Sequence, residues 1–398
     1  MCAIAYDGML IGIVGAPNKG KSTLFAAMTM LNVAIADYPF TTIKPNHGIA
    51  YVSKKCVDSE LGVHCNPRNS LCINGTRFVP IEIVDVAGLV PGSHIGRGMG
   101  NQFLSDLSSA EMLIQVIDAS GTTDINGNRC EGCDPVEEIK MVQDELAFWL
   151  SDIIKRHAGM LRKRADGAAA LREVLTGLKI DSAMIESAAN ELGLSLSGIN
   201  WNEGDTLGFA RALLRMSKPM LIAANKIDML SSAARKRLEE RLAGYNYVEC
   251  SAEIELMLRR ASASGLISYL PGSAGFSLLK GASKDQEDAL EYARKFLASA
   301  GTTGVQELLN KAVFEVLKMI VVYPVEDENK YTDHYGNVLP DALLLPRGST
   351  AADLAMAIHT NLAKGMLYAV NARTKMRLKK DYVLKDNDVI RIVSAAKE

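Results

Sequence analysis

The chain has 398 residues, enough for two or three domains, and its 48% hydrophobic to 23% charged balance excludes a disordered or fibrous protein. A net charge of −2 excludes wholesale electrostatic binding of nucleic acid, so any RNA contact must come from a local patch. No run of about 18 apolar residues exists to make a membrane helix, the first residues lack a charged n-region, and seven scattered cysteines argue for a reducing cytoplasm without a disulfide framework.

In chain order, Leu10 to Gly15 (LIGIVG) reads as a short buried strand ending at glycine. A glycine-rich turn and a helix from about Lys21 follow. Val79 to Val86, Met112 to Asp118, Pro219 to Asn225 and Tyr247 to Ser251 read as further strands. Strands alternating with helical segments predict an α/β fold, a mostly parallel sheet with helices on both faces, whose ligand sits at the carboxyl ends of the strands. A long helical interruption separates the third and fourth strands. Its first helix, Pro135 to Ile154, carries Val136, Ile139, Val142, Leu146 and Leu150 at helical spacing. The basic run Lys155, Arg156, His157, Arg162, Lys163 and Arg164 reads as a solvated helix face. A second helical stretch, Glu253 to Lys318, is broken by the glycine-rich segment Leu270 to Gly275. After Met319 the pattern changes. Strands at IVVYPV, Ala342 to Leu345, MLYAVNARTKMRL and DNDVIRIVSA surround a capped helix, Thr350 to Leu362, and predict a small α+β domain. The expected division is 1–150 for the first part of the nucleotide domain, 151–216 for a helical insertion, 217–319 for the second part with a helical extension, and 320–398 for the last domain.

Each early strand ends in a motif. Gly15-Ala16-Pro17-Asn18-Lys19-Gly20-Lys21-Ser22 fits G-x-x-x-x-G-K-[ST] between a strand and a helix, which is the P-loop of a nucleoside triphosphatase. Its glycines let backbone N–H groups turn inward around phosphates, and the helix N-terminus, running on into Thr23, adds a favourable dipole. Lys21 is expected to reach the β- and γ-phosphates, and Ser22 to place its hydroxyl on Mg2+. Asp85-Val-Ala-Gly88 offers a carboxylate for the same ion and a Gly88 N–H for the γ-phosphate. In Asn225-Lys226-Ile227-Asp228, a carboxylate can accept two hydrogen bonds from the edge of guanine, a donor pair that adenine lacks. Lys226 can lie over the base through its apolar stem. Ser251-Ala252-Glu253 can present a backbone N–H to the guanine carbonyl. Between the P-loop helix and Asp85 lies Asp37-Tyr-Pro-Phe-Thr41-Thr42-Ile-Lys-Pro-Asn46, where either threonine is a candidate to close over the metal and γ-phosphate.

Many GTPases place a water-positioning glutamine after the glycine of the second motif. Here that position is Leu89, so catalytic help is expected from elsewhere. His94, in the glycine-rich stretch Gly92 to Gly100, is one candidate, although an ordinary loop histidine is the plainer reading. Asn18 is a candidate to hold a monovalent cation such as K+ beside the phosphates. The CxxC of Cys130 and Cys133, with Cys56, Cys65 and Cys72 upstream, has no second CxxC and no histidine pair, so free cysteines in loops are expected rather than a structural metal.

Together GAPNKGKSTLF, DYPFTTIKPN, DVAGLVPGSHIGRGMGNQFL, NKID and SAE resemble the Obg-related GTPases, in the YchF/Ygr210-like branch of archaeal type. The C-terminal YPVEDENKYTDHYGNVLPDALLLPRGSTAADLAMAIH with DYVLKDNDVIRIVSA resembles a TGS domain, a small β-grasp fold. The resemblance implies GTP and GDP as ligands, Thr42 as the Mg2+-binding switch threonine, an apolar residue as normal at Leu89, and a role in translation. It implies a ribosome or RNA partner through the TGS domain and the helical insertion, and a cytoplasmic protein with no membrane attachment and no DNA specificity. YchF proteins proper carry a degenerate base-recognition motif and can prefer ATP. The intact NKID here departs from them and points to GTP, with a YchF-type ATPase or a scaffold of negligible turnover as the alternatives. The basic cluster Arg373, Lys375, Arg377, Lys379 and Lys380 is a candidate RNA contact and equally a solvated turn.

Overall fold

The structure, a computed structural model, describes residues 9–30, 46–86, 88–95 and 107–395. Thr41, Thr42 and the rest of their segment up to residue 45 lie outside the described residues, as does 96–106.

The first strand, β1 (Leu10–Val14), is buried along its whole length and leads through the glycine-rich turn into α1 (Lys21–Thr29). β2 (His47–Lys55) follows, then a one-turn helix, α2 (Asp58–Leu61), and the hairpin β3 (Leu71–Ile73) and β4 (Thr76–Asp85). The hairpin turns at Asn74-Gly75, both at positive φ (50° and 74°), the two-residue geometry that suits the twist of paired strands. After β5 (Met112–Asp118) the interruption is helical: α3 (Pro135–Arg156), α4 (Ala158–Leu161), α5 (Gly167–Val174), α6 (Ser182–Glu191) and α7 (Glu203–Ser217). β6 (Met220–Asn225), α8 (Ser232–Arg241), β7 (Tyr247–Glu249) and α9 (Ala252–Ala263) complete the predicted alternation.

Where a helical stretch interrupted by a glycine-rich break at Leu270 to Gly275 was expected, the chain forms a small antiparallel ribbon, β8 (Ile267–Ser268) with β9 (Ser277–Leu278), before α10 (Lys284–Ala300) and α11 (Val305–Asn310). α11 runs on as a π-helical turn, Lys311–Val316. The last elements are β10 (Met319–Val325), β11 (Leu343–Pro346), α12 (Ala351–Ile358), α13 (Thr360–Gly365), β12 (Met366–Asn371), β13 (Arg377–Leu378) and β14 (Asp388–Ser394). The predicted single helix from Thr350 to Leu362 is split at His359. That residue is extended (φ −167°), and its Nδ1 accepts the Asn361 N–H that starts the next helix.

The chain divides into two compact units. One holds Met9–Ala27 and Ile83–Leu308, the other Met28–Glu82 and Leu309–Glu398. In the first, β1, β5, β6 and β7 pair in parallel in that order, with Ile11 opposite Met112, Leu113 opposite Met220, and Ile222 opposite Tyr247. Parallel pairing puts every strand's carboxyl end at one edge, where the motifs lie. The α3 stripe falls where its spacing predicts: Ile139, Val142, Leu146 and Leu150 are fully buried. Asp134 caps the helix, accepting from the Val136 N–H, with a proline at the first helical position. Leu146 and Leu150 share a continuous core with Val14 and Leu113 of the sheet and with Phe209 and Leu213 of α7. Each such side chain stabilises by about 1.5–3 kcal/mol on burial, so the helical interruption is welded to the nucleotide fold rather than appended to it.

The second unit contains a five-stranded mixed sheet, β11-β10-β14-β12-β13, with α12 packed on it through Leu354 and Ala355 against Ile320, Val322, Leu343 and Ile390. A capping box between Thr350 and Asp353 starts α12. This is the expected α+β arrangement. The same unit carries β2, and β3 paired antiparallel to β4.

Candidate nucleotide site

The P-loop is held from below by a residue its motif leaves unspecified. Lys19 is completely buried, and its ammonium donates to the Thr123 carbonyl (3.0 Å), the Thr123 hydroxyl (2.8 Å), the Asp124 carbonyl (2.7 Å) and Glu138 Oε1 (2.6 Å). The other Glu138 oxygen accepts the Asp118 N–H at 3.0 Å. Burial pushes the Glu138 carboxyl up to about 7, against the pull of Lys19. Asn18 stands at positive φ (62°) and donates its amide to the Gly127 carbonyl at 2.9 Å. These contacts fix the loop to the segment after β5 before any ligand arrives.

On the phosphate side, the Lys21 ammonium donates to the Ala16 carbonyl at 2.9 Å. Burial lowers its pKa; Asp85 opposes that shift and Lys19 adds to it. The Ser22 hydroxyl donates to Asp85 Oδ2 at 2.9 Å, and burial raises the Asp85 carboxyl against the pull of Ser22 and Lys21. A hydroxyl and a carboxylate oxygen side by side at the foot of a phosphate-binding turn are hard donors of the kind Mg2+ takes, so the residues present fit that ion.

The base side is tied to the P-loop by Asn225. Its buried amide donates to the Lys19 carbonyl (3.0 Å), and its oxygen accepts the Ala252 N–H (3.0 Å), so the first, third and fourth motifs meet at one side chain. Lys226, at φ 68°, stretches across to the Asn18 carbonyl (3.0 Å) and to Asp118 Oδ2 (2.8 Å). Burial alone would lift Asp118, but hydrogen bonds from Lys226, Ser120 and Thr123 hold it below the usual carboxylate range. Asp228 is half-buried in a 3-10 turn, and among the described residues none donates a hydrogen bond to its carboxylate. Ser251 caps α9 with its hydroxyl, while its own N–H donates to the Thr303 carbonyl. The N–H groups of Ser251 and Ala252 are therefore engaged within the protein, and Glu253 follows in the first turn of α9.

Gly20 sits at φ +88°, and a Cβ there would lie 2.4 Å from the Asn225 amide nitrogen. Gly20→Ala is thus expected to break the Asn225 clamp and add backbone strain. Nucleotide affinity should fall about tenfold or more, for a cost of about 1–3 kcal/mol. Isothermal titration of the folded variant checks this, and unchanged affinity would show that the clamp is not needed for binding.

Around the expected water position, Gly88 is exposed and the Leu89 N–H donates to the Gly15 carbonyl at 3.1 Å. The Leu89 side chain is 1% exposed and belongs to the apolar core with Val14, Ala16 and Val86. It packs rather than faces the phosphates. His94 is tied to α3: its Nδ1 lies 2.8 Å from Glu145 Oε2, which also accepts the His94 N–H (3.0 Å), while Glu145 Oε1 accepts the Gly92 N–H (2.7 Å). The ring stacks at a tilt on Phe148, 4.9 Å between centroids.

Two expectations about other residues change. Cys130 and Cys133 are joined in a disulfide, where free thiols were expected. Carbonyls of Gly121 and Thr122 accept their N–H groups, and the fold of the loop leaves their Cα atoms 6.2 Å apart, within bridging range. In the basic cluster, Arg373 is committed to Glu60 (2.8 Å) and to the Asn387 carbonyl (3.1 Å), while Lys375, Arg377, Lys379 and Lys380 are exposed. The run from Lys155 to Arg164 is a solvated face with partners such as Glu203 and Glu173, as the spacing predicted. Among the described residues no helix is long and apolar enough to cross a membrane.

The sequence reading counted Lys19 only as one of the P-loop residues and passed over Asp118, Glu138 and Glu145. Lys19 occupies an unspecified motif position, and its partner lies 119 residues away. Only Asp118, a carboxylate closing an apolar strand, carried a local signal.

Three family profiles match. Residues 10–152 match the 50S ribosome-binding GTPases, 223–327 match the G4 motif-containing domain of the Obg-like, YGR210-like GTPases, and 335–394 match the TGS domain. An uncharacterized GTP-binding protein of Methanocaldococcus jannaschii is 48% identical over 393 residues, covering 98% of this chain and 100% of the relative. The ribosome-binding ATPase YchF of Buchnera aphidicola is 24% identical over 404 residues, covering 96% and 98%. Among solved structures, a GTP-binding protein of Pyrococcus horikoshii superposes with TM-score 0.77 at 38% identity, covering 97% of this chain and all of that one. The Schizosaccharomyces pombe YchF GTPase (TM-score 0.57, 18% identity, 97% and 98% covered) shares the fold.

Proposed function

Because this chain belongs to the Obg-like GTPases of the YGR210-like type, a P-loop family of nucleotide-binding proteins with a C-terminal TGS domain, we propose that it is a GTP-dependent switch that hydrolyses GTP to GDP with Mg2+ and acts on the ribosome in the cytoplasm. The observation that carries this reading is the Asn225 clamp, which binds the base-recognition turn to the P-loop and leaves the Asp228 carboxylate available to the paired N–H donors of guanine.

In this reading the backbone N–H groups from Gly15 to Thr23 surround the phosphates, and Lys21 turns from the Ala16 carbonyl to the β- and γ-oxygens. Ser22 and Asp85, with Thr42 from the switch segment, would hold Mg2+, which when bound neutralises charge on the β- and γ-phosphates. The Gly88 N–H steadies the γ-phosphate. Hydrolysis forms a bond from water oxygen to the γ-phosphorus and breaks the bond to the β–γ bridging oxygen. The electron pair leaves with GDP, and the water proton goes to phosphate or solvent. Leu89 takes no part in orienting that water. His94, held by Glu145, is a candidate group, and a K+ ion beside Asn18 would do the charge work of an arginine finger.

Relatives named ribosome-binding support the partner, and the exposed Lys375, Arg377, Lys379 and Lys380 offer phosphate contacts. Single-turnover hydrolysis of GTP with and without K+ and ribosomes, with co-sedimentation under GDP, a GTP analogue and no nucleotide, tests both halves. The expected result is slow turnover that K+ or ribosomes accelerate, and nucleotide-dependent sedimentation. No hydrolysis under any of these conditions would leave a nucleotide-responsive scaffold instead.

A further inference from the structure

Outside the nucleotide site, the unit that carries the C-terminal sheet brings together three of the four cysteines that remain as thiols among the described residues. Cys56 stands just past the end of β2, Asp58 opens α2, Cys65 lies in the loop after it, and Cys72 is on β3. One donor atom from each, three sulfurs and a carboxylate oxygen, lies within 4.8 Å of all the others. We propose that Cys56, Asp58, Cys65 and Cys72 form a tetrahedral Zn2+ site that braces the β2–β3 connection.

The spacing of the donors fits that ion. Zinc–sulfur bonds of about 2.3 Å and zinc–oxygen bonds of about 2.0 Å at tetrahedral angles place neighbouring sulfurs about 3.8 Å apart and sulfur and oxygen about 3.5 Å apart. Cys56 Sγ and Cys65 Sγ are 3.8 Å apart, and Asp58 Oδ2 lies 3.2 Å from Cys65 Sγ and 3.7 Å from Cys72 Sγ. The other Asp58 oxygen accepts the Ser59 N–H at 2.7 Å, which orients the carboxylate toward the sulfurs as an outer partner of a metal ligand does.

The charge around the cluster points the same way. Arg77 is completely buried, and its Nε and Nη1 have no hydrogen-bond partner. Its Nη2 donates to the Leu339 carbonyl (2.5 Å), and its guanidinium lies 5.4 Å from the centre of the Tyr323 ring. Among the described residues no carboxylate forms an ion pair with it, and its field also reaches Asp341, whose carboxylate is paired with Arg68. A buried cation demands a nearby anion. Three thiolates and a carboxylate around one dication carry net negative charge, and the field of Arg77 reaches Cys56, where it favours the thiolate. Burial pushes the Cys56 thiol up to about 11 and the Cys65 thiol up as well. Zinc binding would therefore release protons and strengthen as pH rises.

The full chain, purified untagged from zinc-supplemented cells, should hold about one zinc per chain by elemental analysis, released when its thiols are titrated with a mercurial. Cys65→Ser/Cys72→Ser should lose it, and Cys130→Ser/Cys133→Ser should keep it. Because the first variant is at risk of misfolding, Co2+ loading of the unmodified chain gives an independent readout: thiolate-to-cobalt charge-transfer bands with a tetrahedral visible spectrum. Zinc far below stoichiometric together with a Co2+ spectrum lacking thiolate bands overturns the site, as does zinc that leaves with Cys130 and Cys133.

Discussion

Glu138→Ala should cost about 3–5 kcal/mol of stability in the nucleotide unit at about pH 8, because it strands a buried ammonium. Lys19 would keep its bonds to Thr123 and Asp124 but lose its carboxylate partner, and the Asp118 N–H would lose its acceptor. Since Lys19 is itself part of the P-loop, nucleotide affinity should fall with stability. Glu138→Gln, which keeps an oxygen acceptor and the shape, should cost clearly less. The pH dependence carries a definite sign. The folded chain holds the Glu138 proton up to about 7, where the unfolded chain has already released it near the ordinary glutamate value of 4.5. The stability from this group is therefore full below the unfolded value and is lost as pH rises through about 7. Glu138→Gln should remove that slope. Urea unfolding followed by a probe in the nucleotide unit measures both effects, and an alanine cost under about 1 kcal/mol would mean that Lys19 is satisfied by its carbonyls alone.

Asp228→Asn should lower GTP affinity by about 10²–10⁴-fold. Two hydrogen bonds to a charged acceptor are at stake, each worth about 1.5–3 kcal/mol, and an amide nitrogen facing the guanine amino group replaces attraction by donor–donor opposition. The same change should raise affinity for xanthosine triphosphate, whose carbonyl at that edge accepts from the amide. Competition binding of GTP and XTP checks the exchange. Equal losses for both nucleotides would point to local misfolding instead of lost recognition, and no loss would remove Asp228 from the base site.

Much of this was legible because local chemistry dictates it. Apolar runs ending in glycine or a polar residue placed β1, β5, β6 and β7 within a few residues, and the 3.6-residue stripe placed α3. The phosphate and base motifs were readable because each demands particular atoms at a fixed spacing. β2 was missed because its buried positions include Gly48 and Ala50, which give little hydrophobic contrast. The β3–β4 hairpin was overlooked although Asn74-Gly75 announces it. What could not be read is what depends on distant pairing. Lys19 with Glu138, His94 with Glu145 and Asp58 among the cysteines are single polar residues whose meaning appears only once the fold supplies a partner. For the cysteines, neither a second CxxC nor a histidine pair marks the cluster in the sequence, because its fourth donor is the Asp58 carboxylate.

The most direct test of guanine recognition is the affinity of the full chain for GTP and ATP, titrated separately with Mg2+ present. The account predicts that GTP binds tighter by about 10² or more, because the paired donors that Asp228 would accept are absent from adenine. Equal or tighter binding of ATP would contradict it.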